Sequence, residues 1–453
     1  MPAKIAETLQ LSKKYPNMQY NILGQTGLGC SAIAFGSYRV HISLQEHQQA
    51  LEHALLSGIN LIDTSSNYAD GGSEELIGAV LKRLSGQNKI NREEMIIVSK
   101  VGYLQGQNYA LSQQLKQQGR AFPELVEYSS GLEHCMHPDF ISDQLSRSLN
   151  RLQADTIDVY LLHNPEYYLL NAQKQGLDLD TARQEYYRRI EQAFLHLEIE
   201  ARNGRIQYYG ISSNAFPVNQ NRYDFTSLEK CLKIAESISH DHHFRVVQFP
   251  MNISEQGAIC EENQAGNNSV LEFAEKNNLA VLINRPLNAF GDKLQRLVSL
   301  TLAEEFNPDQ LNKALDSVFD LEKLFSKNIV TLLKTDEKTI QELSGFFASG
   351  IYLKTNYERL GPYWAWIENQ ARFLAEQISF AVQRVNEIPD KDDTVIKWLD
   401  QYVESFNNVL DTLTLFYGSK TAALNDSLFK KLKTSVPLLS QCQNLQHLAV
   451  NAL

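Results

Sequence analysis

The chain has 453 residues, 43% of them hydrophobic, and its 42 Lys plus Arg against 53 Asp plus Glu give a formal net charge of −11. This length allows about two to four domains, and the acidic balance argues against non-specific nucleic-acid binding, which depends on clustered cations. Five cysteines without paired spacing exclude a disulfide scaffold and a CxxC zinc site.

Short apolar runs alternate with helical patterns from about residue 20 to residue 290. Near the start, the glycine spacing of Gly24 to Gly29 does not fit a dinucleotide-binding fingerprint and predicts a turn or hairpin. The runs lack the polar–apolar alternation of a half-exposed strand, which is typical of parallel strands covered on both faces. They lie at residues 32–36, 60–63, 95–100, 157–163, 207–212, 245–249 and 279–284.

The stretches between these runs predict helices. Residues 44–56 and 138–152 carry apolar side chains at helical spacing, and Ser73 with two following acids is a helix-start signal. Repeated strand–helix units predict a parallel sheet with right-handed crossovers. We therefore expect an α/β fold, a (β/α)8 TIM-type barrel that is possibly incomplete at the eighth strand, with a C-terminal helical module.

Two stretches break this alternation. Residues 103–137 are polar and rich in Gln, which predicts a long loop, either functional or disordered. Residues 292–435 show long helical patterns, which predict about four helices, the last of them stopping at Gly418. The predicted domains are an N-terminal tail (1–20), a barrel (21–291), a helical insertion (292–435) and a last helix that packs on the barrel (436–453). The insertion could serve packing, or act as a lid or an oligomer interface.

No apolar run approaches the roughly 18–20 residues of a membrane span, and residues 1–20 lack the apolar core of a signal peptide. We therefore expect a cytoplasmic protein without a membrane or nucleic-acid partner, and the oligomeric state stays open. No metal site is predicted, because four histidines lack supporting carboxylate or cysteine ligands. They are His134, His137, His242 and His243.

Polar side chains stand at the carboxyl ends of successive predicted strands, where the loops of a parallel barrel share one mouth. Each has a plain alternative explanation as a cap, a surface charge, a core histidine or an ordinary tyrosine, but together they require four coincidences. The four ionisable side chains are Asp63, Tyr68, Lys100 and His163, and the polar ones are Ser212, Ser213, Asn214 and Gln248.

These side chains are the set that carbonyl reduction requires. Tyr68 can supply the proton, and a neighbouring Lys100 ammonium would lower the high pKa of the phenol. Asp63 would provide the counter-charge that a buried ammonium needs. His163 beside the carbonyl oxygen could orient the substrate by donating a hydrogen bond. None of these groups can give a hydride, so a nicotinamide cofactor is implied.

The chain resembles the aldo-keto reductases over residues 20–290. The resemblance rests on six segments, and the most specific is the Asp-x-x-x-x-Tyr element after Gly-x-Asn. They are Leu23-Gly-Gln-Thr-Gly-Leu-Gly-Cys-Ser31, Gly58-Ile-Asn-Leu-Ile-Asp-Thr-Ser-Ser-Asn-Tyr68, Ser99-Lys100, Ile157-Asp-Val-Tyr-Leu-Leu-His163, Gly204-Arg-Ile-Gln-Tyr-Tyr-Gly-Ile-Ser212 and Arg285-Pro-Leu287.

The resemblance implies NADPH-dependent reduction of an aldehyde or ketone, or oxidation of the matching alcohol or sugar. It implies that Tyr68 is the proton donor and that Asp63 and Lys100 adjust the pKa of Tyr68. It also implies that His163 orients the carbonyl group. The implied cofactor-binding residues are Gly36, Ser37, Ser212, either Ser213 or Asn214, Gln248, Arg285 and Leu287.

The chain departs from the family's pattern in three places. Ser213 stands between Ser212 and Asn214, so either of the last two could contact the carboxamide. Asn284 and Arg285 replace the family's aromatic residue and serine; Arg285 could bind an anionic group or form a surface salt bridge.

The third departure concerns the eighth strand and the adenosine-phosphate site. Tyr417–Thr421 is weakly similar to that element. Alternatively, residues 445–453 match the helix before the strand, and the preference between NADPH and NADH stays open. The alternative to a reductase is a non-catalytic sensor or regulatory subunit that binds the nicotinamide cofactor on the same barrel.

Overall fold

A computed structural model of the chain describes residues 1–290, 294–370 and 374–453. It contains two compact units, Met1–Arg285 and Pro286–Leu453. The domain ranges expected from the sequence stay predictions. Within the described ranges we find no helix with the length and apolarity that a membrane crossing requires.

The first unit is built on a parallel sheet of seven strands. The fourteen strands of the described chain are β1 (Tyr20–Ile22), β2 (Gly29–Ser31), β3 (Phe35–Gly36), β4 (Leu61–Asp63), β5 (Ile96–Val101), β6 (Tyr103–Leu104), β7 (Val126–Ser129), β8 (Leu132–His134), β9 (Ile157–His163), β10 (Ile206–Ser212), β11 (Phe244–Pro250), β12 (Ala280–Asn284), β13 (Asn288–Phe290) and β14 (Leu294–Arg296). The spatial order of the seven-stranded sheet is β12-β11-β10-β9-β5-β4-β3, and every neighbouring pair is parallel.

The seven apolar runs predicted as strands are the seven strands of this sheet. Every residue of β5 and β9 is buried, because helices cover one face of the sheet and strand side chains fill the other. The fold class predicted from the sequence is confirmed, with seven parallel strands of the barrel in the described residues.

Helices connect the parallel strands. Pro138 is the first residue of the helix Pro138–Leu152, and the Asp178 carboxylate caps the helix Leu179–Arg202 by accepting from the Thr181 amide. The helices of this unit are α1 (Ile5–Lys14), α2 (Gln45–Leu56), α3 (Gly72–Gly86), α4 (Gly106–Gln117), α5 (Pro138–Leu152), α6 (Tyr167–Lys174), α7 (Leu179–Arg202), α8 (Leu228–Ile238), α9 (Gly257–Cys260) and α10 (Val270–Lys276).

The polar stretch 103–137 is not a structureless loop, so that prediction was wrong. It holds α4 and a small antiparallel sheet in the order β6-β8-β7. Sequence periodicity missed both because the only buried residue of α4 is Ser112 and each strand has two to four residues. This insertion follows the third barrel strand directly and therefore stands beside the site described below.

The N-terminal segment folds onto the amino ends of the strands. Strands β1 and β2 form the predicted hairpin, with Gly27 left-handed at its turn. Residues 1–20, expected to be a tail, contain α1. The Asp158 carboxylate at the start of β9 accepts a hydrogen bond from the Ala3 amide at 2.6 Å.

The second unit is mostly helical. Seven helices lie between Pro308 and Ser435 in the described part, rather than about four, because several are too short to show a period. They are α11 (Pro308–Leu324), α12 (Val330–Leu332), α13 (Glu337–Phe346), α14 (Ser349–Asn356), α15 (Tyr363–Asn369), α16 (Ala375–Glu387) and α17 (Asp393–Ser435), and α18 (Leu445–Asn451) follows.

Gly418 does not end a helix, so this prediction was also wrong. Helix α17 runs through it, and a Cβ at this position would stand 2.6 Å from the Leu302 side chain. The glycine therefore permits close packing rather than a stop. Tyr417–Thr421 lies inside the same helix, which removes it as a phosphate-binding loop.

Candidate active site

The carboxyl ends of the barrel strands place the predicted polar residues side by side. Ser212 is in register with His163 on one neighbouring strand and with Gln248 on the other. Asp63 pairs with Val98 on β5. Lys100 lies two residues after Val98, so the side chains of Val98 and Lys100 point to the same face of the sheet. Parallel pairing therefore gathers residues that are far apart in the sequence.

Lys100 holds the centre of the site. Its ammonium is fully buried and donates to the Asp63 carboxylate at 2.8 Å, to the Thr64 carbonyl at 2.7 Å and to the Tyr68 hydroxyl at 3.3 Å. A buried ammonium requires a counter-charge and filled donor positions, and these three acceptors supply both. The structure thus brings Asp63, Tyr68 and Lys100 together as predicted.

Burial outweighs Lys100 in setting the pKa of Tyr68. Burial raises that pKa above 10.0, and the Lys100 charge lowers it only in part. The sequence-based argument expected a net lowering, so this expectation is corrected. Tyr68 is consequently protonated at neutral pH, which is the form that a proton donor needs.

The turn after Tyr68 has strained backbone. Ala69 and Asp70 have φ of 49° and 55°, a left-handed conformation that costs energy for residues other than glycine, and Gly71 follows at 93°. The Asp70 carboxylate accepts from the Gln107 amide at 3.0 Å, which fastens this turn to the start of α4. The insertion thus supports the loop that carries the phenol.

His163 is buried beside Tyr68, with ring centroids 6.0 Å apart. Its Nδ1 lies 3.2 Å from the Ser65 hydroxyl, and its carbonyl accepts from the Nε2 of His134 at 2.8 Å. Burial, the Lys100 charge and His134 hold the pKa of His163 well below 6.5, so the ring is neutral at pH 7. A neutral imidazole has one donor and one acceptor nitrogen.

Aromatic rings surround these groups, and the sequence analysis did not single them out. Tyr38 stands edge-on to Tyr68 at 5.1 Å, and Tyr103 stands edge-on to His163 at 4.8 Å and to Tyr167 at 5.2 Å. Their position directly after strand ends was a usable signal. Together they form an apolar wall beside the polar centre.

Gly36 and Ser37 follow the first barrel strand. The exposed Gly36 has open space where a Cβ would stand, with no described atom within 4 Å. The buried Ser37 donates its hydroxyl to the Asp63 carbonyl at 2.8 Å and accepts from Ser73 at 2.8 Å. Ser37 therefore fixes the loop, and Gly36 leaves room above it.

Ser212 and Gln248 contact each other in this structure. The Ser212 hydroxyl donates to the Gln248 side-chain carbonyl at 2.7 Å, and the Gln248 amide donates to the Asp63 carboxylate at 3.0 Å. This chain links the ends of β10 and β11 to the Lys100–Asp63 pair, and it orients both side chains that were predicted to hold a carboxamide.

The structure distinguishes Ser213 from Asn214. Ser213 is buried and its hydroxyl donates to the Glu166 carboxylate at 2.8 Å, whereas the Asn214 side chain is exposed. The Asn214 backbone amide donates to the same carboxylate at 2.9 Å. Sequence reasoning missed Glu166, although it follows His163 by three residues.

Arg285 forms an ion pair at the end of β12. Its guanidinium lies 2.6 Å from the Glu255 carboxylate, which is the salt bridge considered from the sequence. Its φ of 59° is left-handed, which is unusual for arginine. Leu287, also predicted near the cofactor, lies in the second unit.

Curated proteins match part of this chain. An NADH-specific methylglyoxal reductase of Escherichia coli is 30% identical over 142 residues, 31% of this chain and 38% of that protein. An NAD(P)H-dependent D-xylose reductase of Scheffersomyces stipitis is 26% identical over 140 residues, 31% of this chain and 33% of that protein. A candidate voltage-gated potassium channel subunit beta of Schizosaccharomyces pombe is 26% identical over 154 residues, 33% of this chain and 38% of that protein. The chain thus spans well under half the length of these relatives.

Solved structures of aldo-keto reductases also align. An aldo-keto reductase of Bacillus halodurans is 17% identical with a TM-score of 0.40, and the alignment covers 86% of this chain and 96% of that one. An aldo/keto reductase of Klebsiella pneumoniae, solved with NADP and acetate, is 19% identical with a TM-score of 0.36, covering 59% and 68%.

A family model matches most of this chain and shows which family it belongs to. The model of the Aldo/keto reductase family matches residues 27–343, which is more than half of the chain. The match includes every strand of the seven-stranded sheet and the four ionisable residues at its mouth. This chain belongs to the aldo/keto reductase family.

Proposed function

We propose that this protein reduces an aldehyde or ketone with NADPH, or oxidises the matching alcohol or sugar in reverse. The observation that carries the proposal is the position of the Lys100 ammonium within hydrogen-bond distance of both the Asp63 carboxylate and the Tyr68 hydroxyl. A protein that only binds a ligand has no need of a phenol held against a buried, paired ammonium.

In the reduction, Tyr68 gives its proton to the carbonyl oxygen. Lys100 stabilises the phenolate that this transfer leaves, because the ammonium lies 3.3 Å from the phenol oxygen. Asp63 keeps the ammonium charged and in place at 2.8 Å. His163 donates a hydrogen bond to the same carbonyl oxygen and thereby orients it. For this role the proton of the neutral ring must be on Nε2.

The residues at the mouth fit a nicotinamide cofactor. The open space above Gly36 admits a flat ring close to the backbone, and the exposed side-chain amide of Asn214 can bind a carboxamide. We assign the cofactor to residues of the first unit, Gly36, Ser37, Ser212, Asn214, Gln248 and Arg285, with Ser213 acting only through its neighbour. Bound there, the cofactor supplies the hydride that none of these side chains can give.

The proposal is tested with the wild-type chain in two steps. Titration with NADPH and with NADH, followed by nicotinamide fluorescence, measures cofactor affinity and preference. Loss of reduced-cofactor absorbance over a panel of aldehydes, ketones and sugars then measures turnover. We expect saturable NADPH binding and turnover of at least one carbonyl compound; an absence of binding to either cofactor contradicts the proposal.

A second function follows from one comparison. The Schizosaccharomyces pombe relative is described as a channel subunit rather than a reductase, which favours a cofactor-binding regulatory subunit as the alternative. Saturable cofactor binding with no turnover over the whole panel would support that alternative.

Arg285 has a test of its own. Its left-handed backbone suggests a functional position, so we expect Arg285→Ala to raise the NADPH dissociation constant about tenfold, the effect of losing one charge-assisted hydrogen bond. The matched control, Glu255→Gln, removes the ion-pair charge and keeps the arginine. Equal and small effects of both variants would show that Arg285 serves only the salt bridge.

A further inference from the structure

Glu166 is a buried carboxyl group that the proposed chemistry does not use. It follows His163 by three residues, precedes α6 and is only 3% exposed. In the described structure, no Lys or Arg pairs with it; its hydrogen-bond partners are the Ser213 hydroxyl and the Asn214 backbone amide. A carboxyl group placed in the interior without a cation needs a different explanation from a salt bridge.

The two oxygens of Glu166 hold the turn that follows β10. The Ser213 hydroxyl donates to Oε2 at 2.8 Å, and the Asn214 amide donates to Oε1 at 2.9 Å. The Asn164 side chain also accepts from the Asn214 backbone amide, at 3.3 Å. Asn164 itself has a left-handed backbone, with φ of 49°. The loop after β9 thereby fixes the backbone of the turn after β10.

This contact bears on the residue that we assign to the cofactor. The Asn214 side chain is exposed, while its own backbone amide is fixed by Glu166. The Ser213 hydroxyl, which also accepts from the Ala215 amide at 3.0 Å, is fully used within the turn. Glu166 thus fixes the backbone position from which the Asn214 side chain extends, and it does so without contacting the proposed cofactor.

We infer that Glu166 is a positioning residue: its carboxylate holds the Ser213–Asn214 turn so that the side-chain amide of Asn214 binds the cofactor. The ionisation of Glu166 then sets the cofactor affinity. The inference deepens the proposed function and rests on it. It also explains the extra serine between Ser212 and Asn214, because Ser213 supplies the hydroxyl that the carboxylate binds.

Ionisation of Glu166 falls in the physiological range. Burial raises its pKa to about 7, and the hydrogen bonds from Ser213 and Asn214 oppose this only in part. Asp224, itself bound by Arg222, adds a further rise. Among the described residues, Tyr103, Tyr167 and Tyr186 also face Glu166, and all three are uncharged at neutral pH. Because the ionised form offers both oxygens as acceptors, the turn is held best above about pH 7.

The test compares the wild-type chain with Glu166→Gln, which keeps the size of the side chain and replaces one acceptor oxygen with a donor. The matched control is Glu191→Gln on the exposed surface of α7. NADPH dissociation constants are measured from about pH 5.5 to about pH 8.5. Amide hydrogen exchange of the peptide that contains Asn214 is measured without cofactor.

For the wild type we expect tighter NADPH binding above pH 7 than below it. For Glu166→Gln we expect about tenfold weaker binding at high pH, the effect of one lost hydrogen bond to a charged group, a flat pH profile and faster exchange at Asn214. Glu191→Gln should match the wild type. Ser213→Ala removes one bond and leaves the carboxylate, so its binding should be weaker but still pH-dependent, and it carries the test if Glu166→Gln does not fold.

Wild-type affinity, pH profile and exchange rate in Glu166→Gln would overturn the inference. Failure of the proposed function has a different signature, because it leaves the wild-type chain without cofactor binding at any pH, or with binding but no turnover. The exchange measurement contains no cofactor and therefore judges the Glu166 contact in either case: unchanged exchange at Asn214 overturns it.

Discussion

At the scale of single residues, the pair of Lys100 and Tyr68 decides what the site can do. The ammonium keeps its charge because Asp63, Thr64 and Tyr68 fill its three donor positions. The phenol keeps its proton because burial opposes the phenolate more strongly than Lys100 favours it. The site therefore holds a protonated phenol next to a charge that would stabilise its phenolate, as the proposed function requires.

A pH prediction follows from the directions of these pKa shifts. His163 titrates well below 6.5 and Tyr68 above 10.0, so neither changes its charge in the neutral range. We expect turnover in the reduction direction to be level between about pH 7 and about pH 9.5 when NADPH is saturating. A loss of turnover with a midpoint near pH 8 under those conditions would contradict the assigned protonation states.

At the scale of elements, Asp158 joins the amino ends of the strands. Its buried carboxylate accepts from the Ala3 and Ile97 amides at 2.6 and 2.8 Å, from Arg92 at 3.0 Å and from the Gln207 side chain at 2.8 Å. Through it the N-terminal segment, β5 and β10 are fastened to β9. This is the end of the barrel opposite the site, where buried polar groups serve stability.

We expect Asp158→Asn to lower the free energy of unfolding by about 3 kcal/mol, because it removes the charge from a buried ion pair with several donors. Asp155→Asn, three residues earlier and exposed, should have almost no effect. Urea denaturation followed by far-UV circular dichroism measures both. Equal stability of the two variants would contradict the role given to Asp158.

The sequence predicted some elements well and missed others, for a physical reason. Runs such as Ile157–His163 were recognisable because every side chain is buried and apolarity then extends along the strand. Helix α4 buries a serine and little else, so it has no apolar stripe. Gly418 was misinterpreted because the sequence does not show that Leu302 packs against that position.

The candidate site was predictable in part for a related reason. Strand ends identify Asp63, Lys100 and His163, since their order along the chain gives their place at one mouth. The contact between Glu166 and Asn214, and the net rise in the pKa of Tyr68, depend on packing density and distance. No pattern in a single sequence contains that information.

At the scale of the whole molecule, the two units have separate apolar cores in the described residues. The main core of the first unit ends at Leu279, and that of the second begins at Leu311. Within the second core the buried Glu322 carboxylate accepts from the Gly350 and Ile351 amides at 2.7 and 3.0 Å and from the Tyr402 hydroxyl at 3.0 Å. Glu322 therefore joins α11, α14 and α17.

We expect Glu322→Ala to destabilise the second unit by about 3 kcal/mol, because two buried donors and one half-buried donor lose their acceptor. Tryptophan fluorescence reports on this unit alone, since all three tryptophans, Trp364, Trp366 and Trp398, belong to it. The exposed Glu404→Ala on α17 is the control. An unchanged urea midpoint of tryptophan fluorescence in Glu322→Ala would contradict this account of the helical unit.

The most direct measurement compares Tyr68→Phe with the wild type on one carbonyl compound that the wild type reduces. This variant lacks a single oxygen atom, the one 3.3 Å from the Lys100 ammonium. We expect turnover to fall at least about 100-fold, while the NADPH dissociation constant stays within about twofold, because the cofactor contacts assigned above do not include Tyr68. Turnover close to that of the wild type would show that the proton comes from another group, and the account of this site would then be wrong.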